Sequence, residues 1–383
     1  MNIILLIIST ILMLMLLTEP FIDNSRWIFS QSVRINFMHR IFTNRIWFFS
    51  FLQKSSNISA EYKALEEIMR LHYPSFYLPE KSNKIQLNQF RLIAKKIFKT
   101  LYPQRNIQTC KIQPITFEYN ERTVLSYSIR DGNMYDWKNH DQKFLLYIHG
   151  GGFVYGDIEL YSGYECYLSR KYHMPVIHIE YKLSPEYPIF HILDDIVTVY
   201  MSLLKFDPNI HQRMIGMGDS SGGLLWLRLI QIMVEQKQSV PLALILLSPW
   251  IDISFMDVEH DDETEQNRVL FSLQLLFNLR EQIFMIDQDL TGFDYYEEYN
   301  QQLNNINPKE YSFKGFPPLY VSVGTNELFL WDATILKKKI LENNGQIILE
   351  EGYGLMHTYP MFHLWSPEAE CTQNNIRIFI EQF

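Results

Sequence analysis

Two glycine-flanked segments carry the residue types that acyl-transfer chemistry needs. Gly218-Asp219-Ser220-Ser221-Gly222 sits between an apolar run at 214–217 and an apolar, helix-like stretch at 223–234. In a strand–turn–helix context this G-x-S-x-G spacing lifts a serine hydroxyl onto a strained turn, and glycines flank it because a Cβ there would strike neighbouring backbone. The hydroxyl then stands at a helix N-terminus, where the dipole favours developing negative charge. The second segment, His149-Gly150-Gly151-Gly152-Phe153, follows an apolar run at 144–148. Its glycines let main-chain N–H groups approach a carbonyl with no side chain in the way. The N–H groups of Gly151, Gly152 and Ser221 are therefore candidate oxyanion donors, each worth roughly 3 kcal/mol to a tetrahedral intermediate. Ser220 is the candidate nucleophile.

Such loops need a rigid frame. Short apolar runs at 144–148, 176–180, 214–217, 242–247, 319–323 and 347–350 alternate with amphipathic stretches, the pattern of strands interleaved with helices. That alternation predicts an α/β fold with a mostly parallel central sheet and helices on both faces. An acidic, Asn/Gln-rich, aromatic stretch at about 251–308 predicts a helical insertion beside the site. The expected organisation is a membrane anchor at 1–20, an amphipathic cap region at 21–110 and a catalytic domain at 111–383. At 383 residues, one large domain with additions is the natural size. No internal repeat is visible.

Composition excludes some functions. A net charge of −9 without a basic face argues against a nucleic-acid partner, which requires concentrated positive charge to displace phosphate counterions. Cys110, Cys166 and Cys371 are far apart and lack metal-type spacing, so no zinc site and no disulfide framework are expected. An oxidising lumen would allow one bridge and leave one thiol over.

The N-terminus points to a membrane. Residues 3–17 are continuously apolar but shorter than the ~20 residues that usually span a bilayer. A signal-peptide core and a short anchor are both compatible with that length. No small-residue cleavage pattern follows, which favours retention as an anchor. Arg26 and Arg34 on the C-terminal flank would leave the body in the cytosol by the positive-inside rule, whereas the sequon Asn57-Ile58-Ser59, with Asn57 as glycosylation candidate, points to a lumenal body. Residues 26–52 interleave Trp27, Phe29, Phe37, Phe42, Trp47 and Phe48 with Arg34, Arg40 and Arg45. That mixture suits a helix in the membrane interface, or a lid helix whose aromatic residues face the site.

Taken together, His149 to Gly152, then Tyr181-Lys182-Leu183-Ser184-Pro185-Glu186 with Asp195, then Gly218 to Gly222, then Ser248-Pro249-Trp250-Ile251-Asp252 resemble the hormone-sensitive-lipase family of α/β-hydrolases. Four blocks stand in the family's order across roughly residues 110–383. With its short N-terminal apolar run the chain is similar within that family to fungal steryl acetyl hydrolases and arylacetamide deacetylases. The resemblance implies an endoplasmic-reticulum membrane protein with a lumenal body, cleaving short acyl esters of bulky apolar alcohols through a serine, acid, histidine triad. It implies no cofactor and no metal. His357, in Gly354-Leu355-Met356-His357 after the last expected strand, matches the family's base; His363, six residues on, is expected inside the following helix. The family's usual aspartate position falls on Asn326, which cannot carry the charge. Glu327 beside it matches a subgroup with glutamate as the acid, and Asp332 is the second choice. The alternatives to a deacetylase are a broader carboxylesterase or lipase acting on longer acyl chains, a secreted form with a cleaved N-terminus, and an inactive receptor-like relative.

Overall fold

The structure, a computed structural model, describes residues 31–50, 58–72, 77–79, 82–103, 108–254, 272–284 and 292–383. The apolar run at 3–17 and the sequon's Asn57 lie outside them. Among the described residues no helix is long and apolar enough to cross a membrane.

The centre is an eight-stranded sheet in the order β1-β2-β4-β3-β5-β6-β7-β8. Its strands are β1 (Cys110–Tyr119), β2 (Arg122–Asp131), β3 (Phe144–Ile148), β4 (Val176–Ile179), β5 (Met214–Asp219), β6 (Ala243–Leu247), β7 (Leu319–Gly324) and β8 (Ile347–Gly352). The six from β3 to β8 run parallel, and β2 pairs antiparallel with β4 and with β1. β3 to β7 are buried throughout, so their sequences are unbroken apolar runs rather than alternating ones.

The β1–β2 hairpin is the part the apolar runs do not announce. Its strands are half exposed, and Pro114 sits in the edge strand, where a missing N–H costs no ladder bond. Its two-residue turn, Asn120-Glu121, has φ values of 48° and 63°. Both residues are left-handed, as a type I′ turn requires, but glutamate is not the residue that would signal such a turn.

Helices flank both faces. Ile158–Tyr172 packs with Pro367–Ile380, and Ile189–Phe206 packs with Ser221–Glu235. Ahead of the sheet, Gln31–Ser50 lies along Ala60–His72, and Lys84–Leu101 follows. Ile35, Met38 and Phe42 are buried on the first of these helices, while Phe37 and Trp47 are exposed. From these N-terminal helices, the aromatic residues that line the pocket are Phe98 and the adjoining Tyr102, at the end of Lys84–Leu101. Within 251–308 the described residues form helices Leu273–Glu281 and Gly292–Ile306.

Cys110 at the start of β1 is bridged to Cys166 of Ile158–Tyr172 with Cα atoms 5.9 Å apart, a normal span. Cys371 is free and exposed. The bridge closes 56 residues, so removing the crosslink releases about 4 kcal/mol of unfolded-chain entropy. Guanidinium unfolding of a Cys110→Ser, Cys166→Ser variant should show a lower midpoint at an equal or steeper slope. An unchanged midpoint would mean that the bridge contributes nothing.

Candidate active site

Five consecutive parallel strands deliver the site from their C-terminal ends. β3 runs into His149-Gly150-Gly151-Gly152, β5 into Ser220, β6 into Ser248, β7 into Glu327 and β8 into His357.

The turn at Ser220 is strained. Its φ and ψ of 52° and −120° lie outside the regions that L-residues favour, and surrounding bonds hold it there. Its N–H donates to Leu247 O at 2.9 Å, and its carbonyl accepts from Gly223 N at 2.9 Å and from Trp250 N at 3.0 Å. A β-carbon on Gly222 would stand 2.1 Å from Ile148 O, so the helix Ser221–Glu235 can abut β3 only with glycine there. Ser221 is that helix's first residue, and its N–H belongs to the positive end of the dipole.

The glycine loop forms a nest. Gly151, Gly152 and Phe153 all have positive φ, 108°, 59° and 65°. Gly151 O accepts from Val154 N and Tyr155 N, at 3.1 and 3.2 Å. Among the described residues no hydrogen bond engages the N–H of Gly151 or Gly152. The loop is tied to the elbow through Asp219, whose Oδ1 accepts from Gly150 N at 2.9 Å and from the Tyr147 hydroxyl at 2.8 Å, while Tyr161 donates to Oδ2 at 3.2 Å. Burial raises the Asp219 carboxyl to about 6, and those three donors offset part of that cost.

Behind the loop lies a buried charged cluster. His178 holds Glu165 at 2.6 Å and Glu180 at 3.2 Å. Burial alone would depress the His178 imidazole, but the two carboxylates lift it to about 10. His149 stacks on Tyr181 with ring centres 4.1 Å apart and lies parallel to His178 at 5.4 Å. Burial and the neighbouring His178 charge push His149 down to about 4, so it is neutral and bonds to Gly150 O at 2.7 Å.

Glu327 and His357 meet directly. Nδ1 of His357 is hydrogen-bonded to Oε2 of Glu327, and both side chains are buried. Oε1 of Glu327 accepts from Gly324 N and from the Ser248 hydroxyl, each at 2.6 Å. Ser248 in turn accepts from Thr358 N at 2.9 Å, so one hydroxyl links Glu327 to the residue after His357. Phe329 packs against the imidazole with centroids 5.0 Å apart.

Asp332 is occupied elsewhere. Its Oδ2 accepts from Ile251 N at 2.8 Å and Asp252 N at 2.9 Å, fixing the loop after β6. Asn326, on the family's aspartate position, uses its N–H on Leu355 O at 3.0 Å. His363 is buried at the end of a short 3-10 turn, Tyr359–Phe362, rather than inside the next helix, and stacks on Tyr167.

Ser220, His357, Gly151 and Gly152 line one cavity of about 20 Å³, room for about one water. Phe98, Tyr102, Tyr155, Tyr161 and Trp250 complete its aromatic wall, and Leu276 and Leu279 of Leu273–Glu281 close it. Ser248 and the two leucines had no role assignable from sequence. Ser248 belongs to a recognisable block, but its partners lie 79 and 110 residues away.

A family model described as the alpha/beta hydrolase fold matches residues 145–361, more than half of the chain. The chain belongs to the alpha/beta hydrolase fold family. Among curated proteins it is 28% identical over 240 residues to an esterase of Acinetobacter venetianus, covering 62% of this chain and 74% of that one. It is 26% identical over 231 residues to an acetyl-hydrolase of Streptomyces hygroscopicus, covering 60% and 72%. A solved esterase of the bacterial hormone-sensitive lipase family superposes with a TM-score of 0.69 at 22% identity, covering 85% of this chain and 99% of that one, which shows a shared fold.

Burial raises the Asp332 carboxyl to about 7, well above the ordinary aspartate value near ~3.9. The folded state therefore holds a proton that the unfolded state has released, so this group's contribution to stability is complete below about pH 4 and is lost as pH rises through about 7. Asp332→Asn keeps the acceptor and removes the titration. Melting temperatures at pH 5 and pH 8 should differ less in the variant than in the wild type, and an equal difference would exclude Asp332 as a source of the pH dependence.

Proposed function

We propose that this chain is a serine esterase in which Ser220 is the nucleophile, His357 the general base and acid, Glu327 the acid partner of the histidine, and Gly151, Gly152 and Ser221 the oxyanion donors. The observation that carries the reading is that His357, bonded to Glu327, lines one cavity with Ser220 and the two glycines whose N–H groups are unengaged.

His357 Nε2 takes the Ser220 proton as Oγ attacks the ester carbonyl, and the oxyanion rests on the three N–H groups. The intermediate collapses as the C–O bond to the alcohol breaks and His357 returns the proton to the departing oxygen. Water then attacks the acyl-enzyme with His357 again as base, releasing the carboxylic acid and restoring Ser220. Glu327 holds the imidazole in the tautomer with its proton on Nδ1 and stabilises the cation that forms. The chain's own groups carry every proton and charge of this sequence.

The substrate class is a short-chain, acetyl-type ester of a bulky apolar alcohol, such as a steryl acetate. Two features support it: the wall of five aromatic residues at Ser220, and the esterase and acetyl-hydrolase names of the relatives. For location we propose the endoplasmic-reticulum membrane, with residues 1–20 as anchor and the body in the lumen. The apolar N-terminal run, the sequon and the Cys110–Cys166 bridge support this, because bridges persist in oxidising compartments.

Ser220→Ala should lower kcat on a steryl acetate by roughly 10⁴-fold or more, and Glu327→Gln by about 10³ to 10⁴. A Ser220→Ala enzyme that keeps its turnover would end the esterase reading. Wild-type rates on acetyl and palmitoyl esters of one sterol should favour acetyl by at least about tenfold; equal rates would remove the short-acyl assignment.

A further inference from the structure

The base of the site is held by a residue that lies far upstream in the chain. The N–H of Met356, the residue before His357, donates to the hydroxyl oxygen of Tyr62 at 2.6 Å. Tyr62 is fully buried in the helix Ala60–His72, and Met356 is fully buried as well. The two are 294 residues apart, and Tyr62 precedes the matched stretch 145–361.

We propose that Tyr62 is a positioning residue for His357, so that the N-terminal cap segment is a working part of the active site and not only a cover over it. This rests on His357 being the base. The loop from β8 to His357 is pinned at separate points. Gly354 N donates to Thr325 Oγ1 at 2.8 Å, Leu355 O accepts from Asn326 N at 3.0 Å, and Thr358 N donates to Ser248 Oγ at 2.9 Å. Those bonds hold the loop from the β6–β7 side. Tyr62 holds it from the cap side, at the N–H adjoining the catalytic residue.

The helix carrying Tyr62 is itself anchored on the core. Ser59, just before it, donates to Glu368 twice, N–H to Oε1 at 2.6 Å and hydroxyl to Oε2 at 2.8 Å. Ile58 packs on Gly354, where a β-carbon would fall 2.4 Å from its Cδ1. The cap thus fastens both to Pro367–Ile380 and to the histidine loop. An imidazole that swings by an ångström loses its alignment with Ser220 without losing the substrate pocket, so the loss falls on turnover and spares binding.

Tyr62→Phe keeps the ring and removes only the hydroxyl that accepts from Met356 N. Purified full-length protein would be assayed on p-nitrophenyl acetate, with active sites titrated by a fluorophosphonate so that kcat refers to folded enzyme. The expected result is a kcat about tenfold lower at a KM within about twofold of wild type, and a similarly slower phosphonylation of Ser220. A per-site kcat within twofold of wild type would overturn the proposal, even if the melting temperature fell. Ser220→Ala, run alongside, separates the two readings: if it retains activity the esterase assignment fails irrespective of Tyr62. Should Tyr62→Phe not fold, Ser59→Ala loosens the same helix from Glu368, and a fall in kcat at constant KM is again required.

Discussion

In a parallel sheet every strand points the same way, so all C-terminal ends lie along one edge, and the whole site follows from that constraint. Ile148 of β3 pairs with Gly218 of β5, Asp219 with Leu247 of β6, Leu247 with Ser322 of β7, and Gly324 with Gly352 of β8. The ends of β5 and β6 are thereby level, β3 stops one residue short of them, and β7 and β8 run two residues further. At about 4.8 Å per strand, β3 and β8 stand roughly 19 Å apart. Convergence on one carbonyl must come from the loops: Glu327 lies three residues past β7 and His357 five past β8, and both reach back toward Ser220. Ser248, at the end of the strand between, ties the two returning loops together.

Holding charge in so buried a place has a cost, and donors offset it. Asp219, Glu327 and Asp332 are all buried, yet each accepts two or more hydrogen bonds. Each also fixes a different piece of backbone: the start of the glycine loop, the end of β7, and the loop after β6. The His178 cluster does the same behind His149. The strained Ser220 conformation persists because the strands on either side over-determine it, which is how proteins sustain such backbone at functional sites.

The legibility of these features in the sequence follows their range. The glycine motifs are local, since a tight turn or a close approach leaves its mark within five residues, and the buried parallel strands read as apolar runs. The β1–β2 hairpin escaped because its strands are half exposed and Asn120-Glu121 lacks a glycine. On paper Glu327 is the first choice and Asp332 the second; the path of the chain puts Glu327 on His357 and Asp332 on the amides of Ile251 and Asp252. Tyr62 has no local signature, and the block that holds Ser248 does not reveal its role, because their partners lie 294 and 79 to 110 positions away. The pairing of Cys110 with Cys166 is likewise a property of the folded chain.

The central claim is spatial, and a crystal structure of the chain after reaction with a fluorophosphonate tests it most directly. The adduct should sit on Oγ of Ser220, with its phosphoryl oxygen 2.7–3.1 Å from the amide nitrogens of Gly151, Gly152 and Ser221 and with His357 still bonded to Glu327. A phosphoryl oxygen pointing away from the glycine loop, or an adduct on any other residue, would contradict the account.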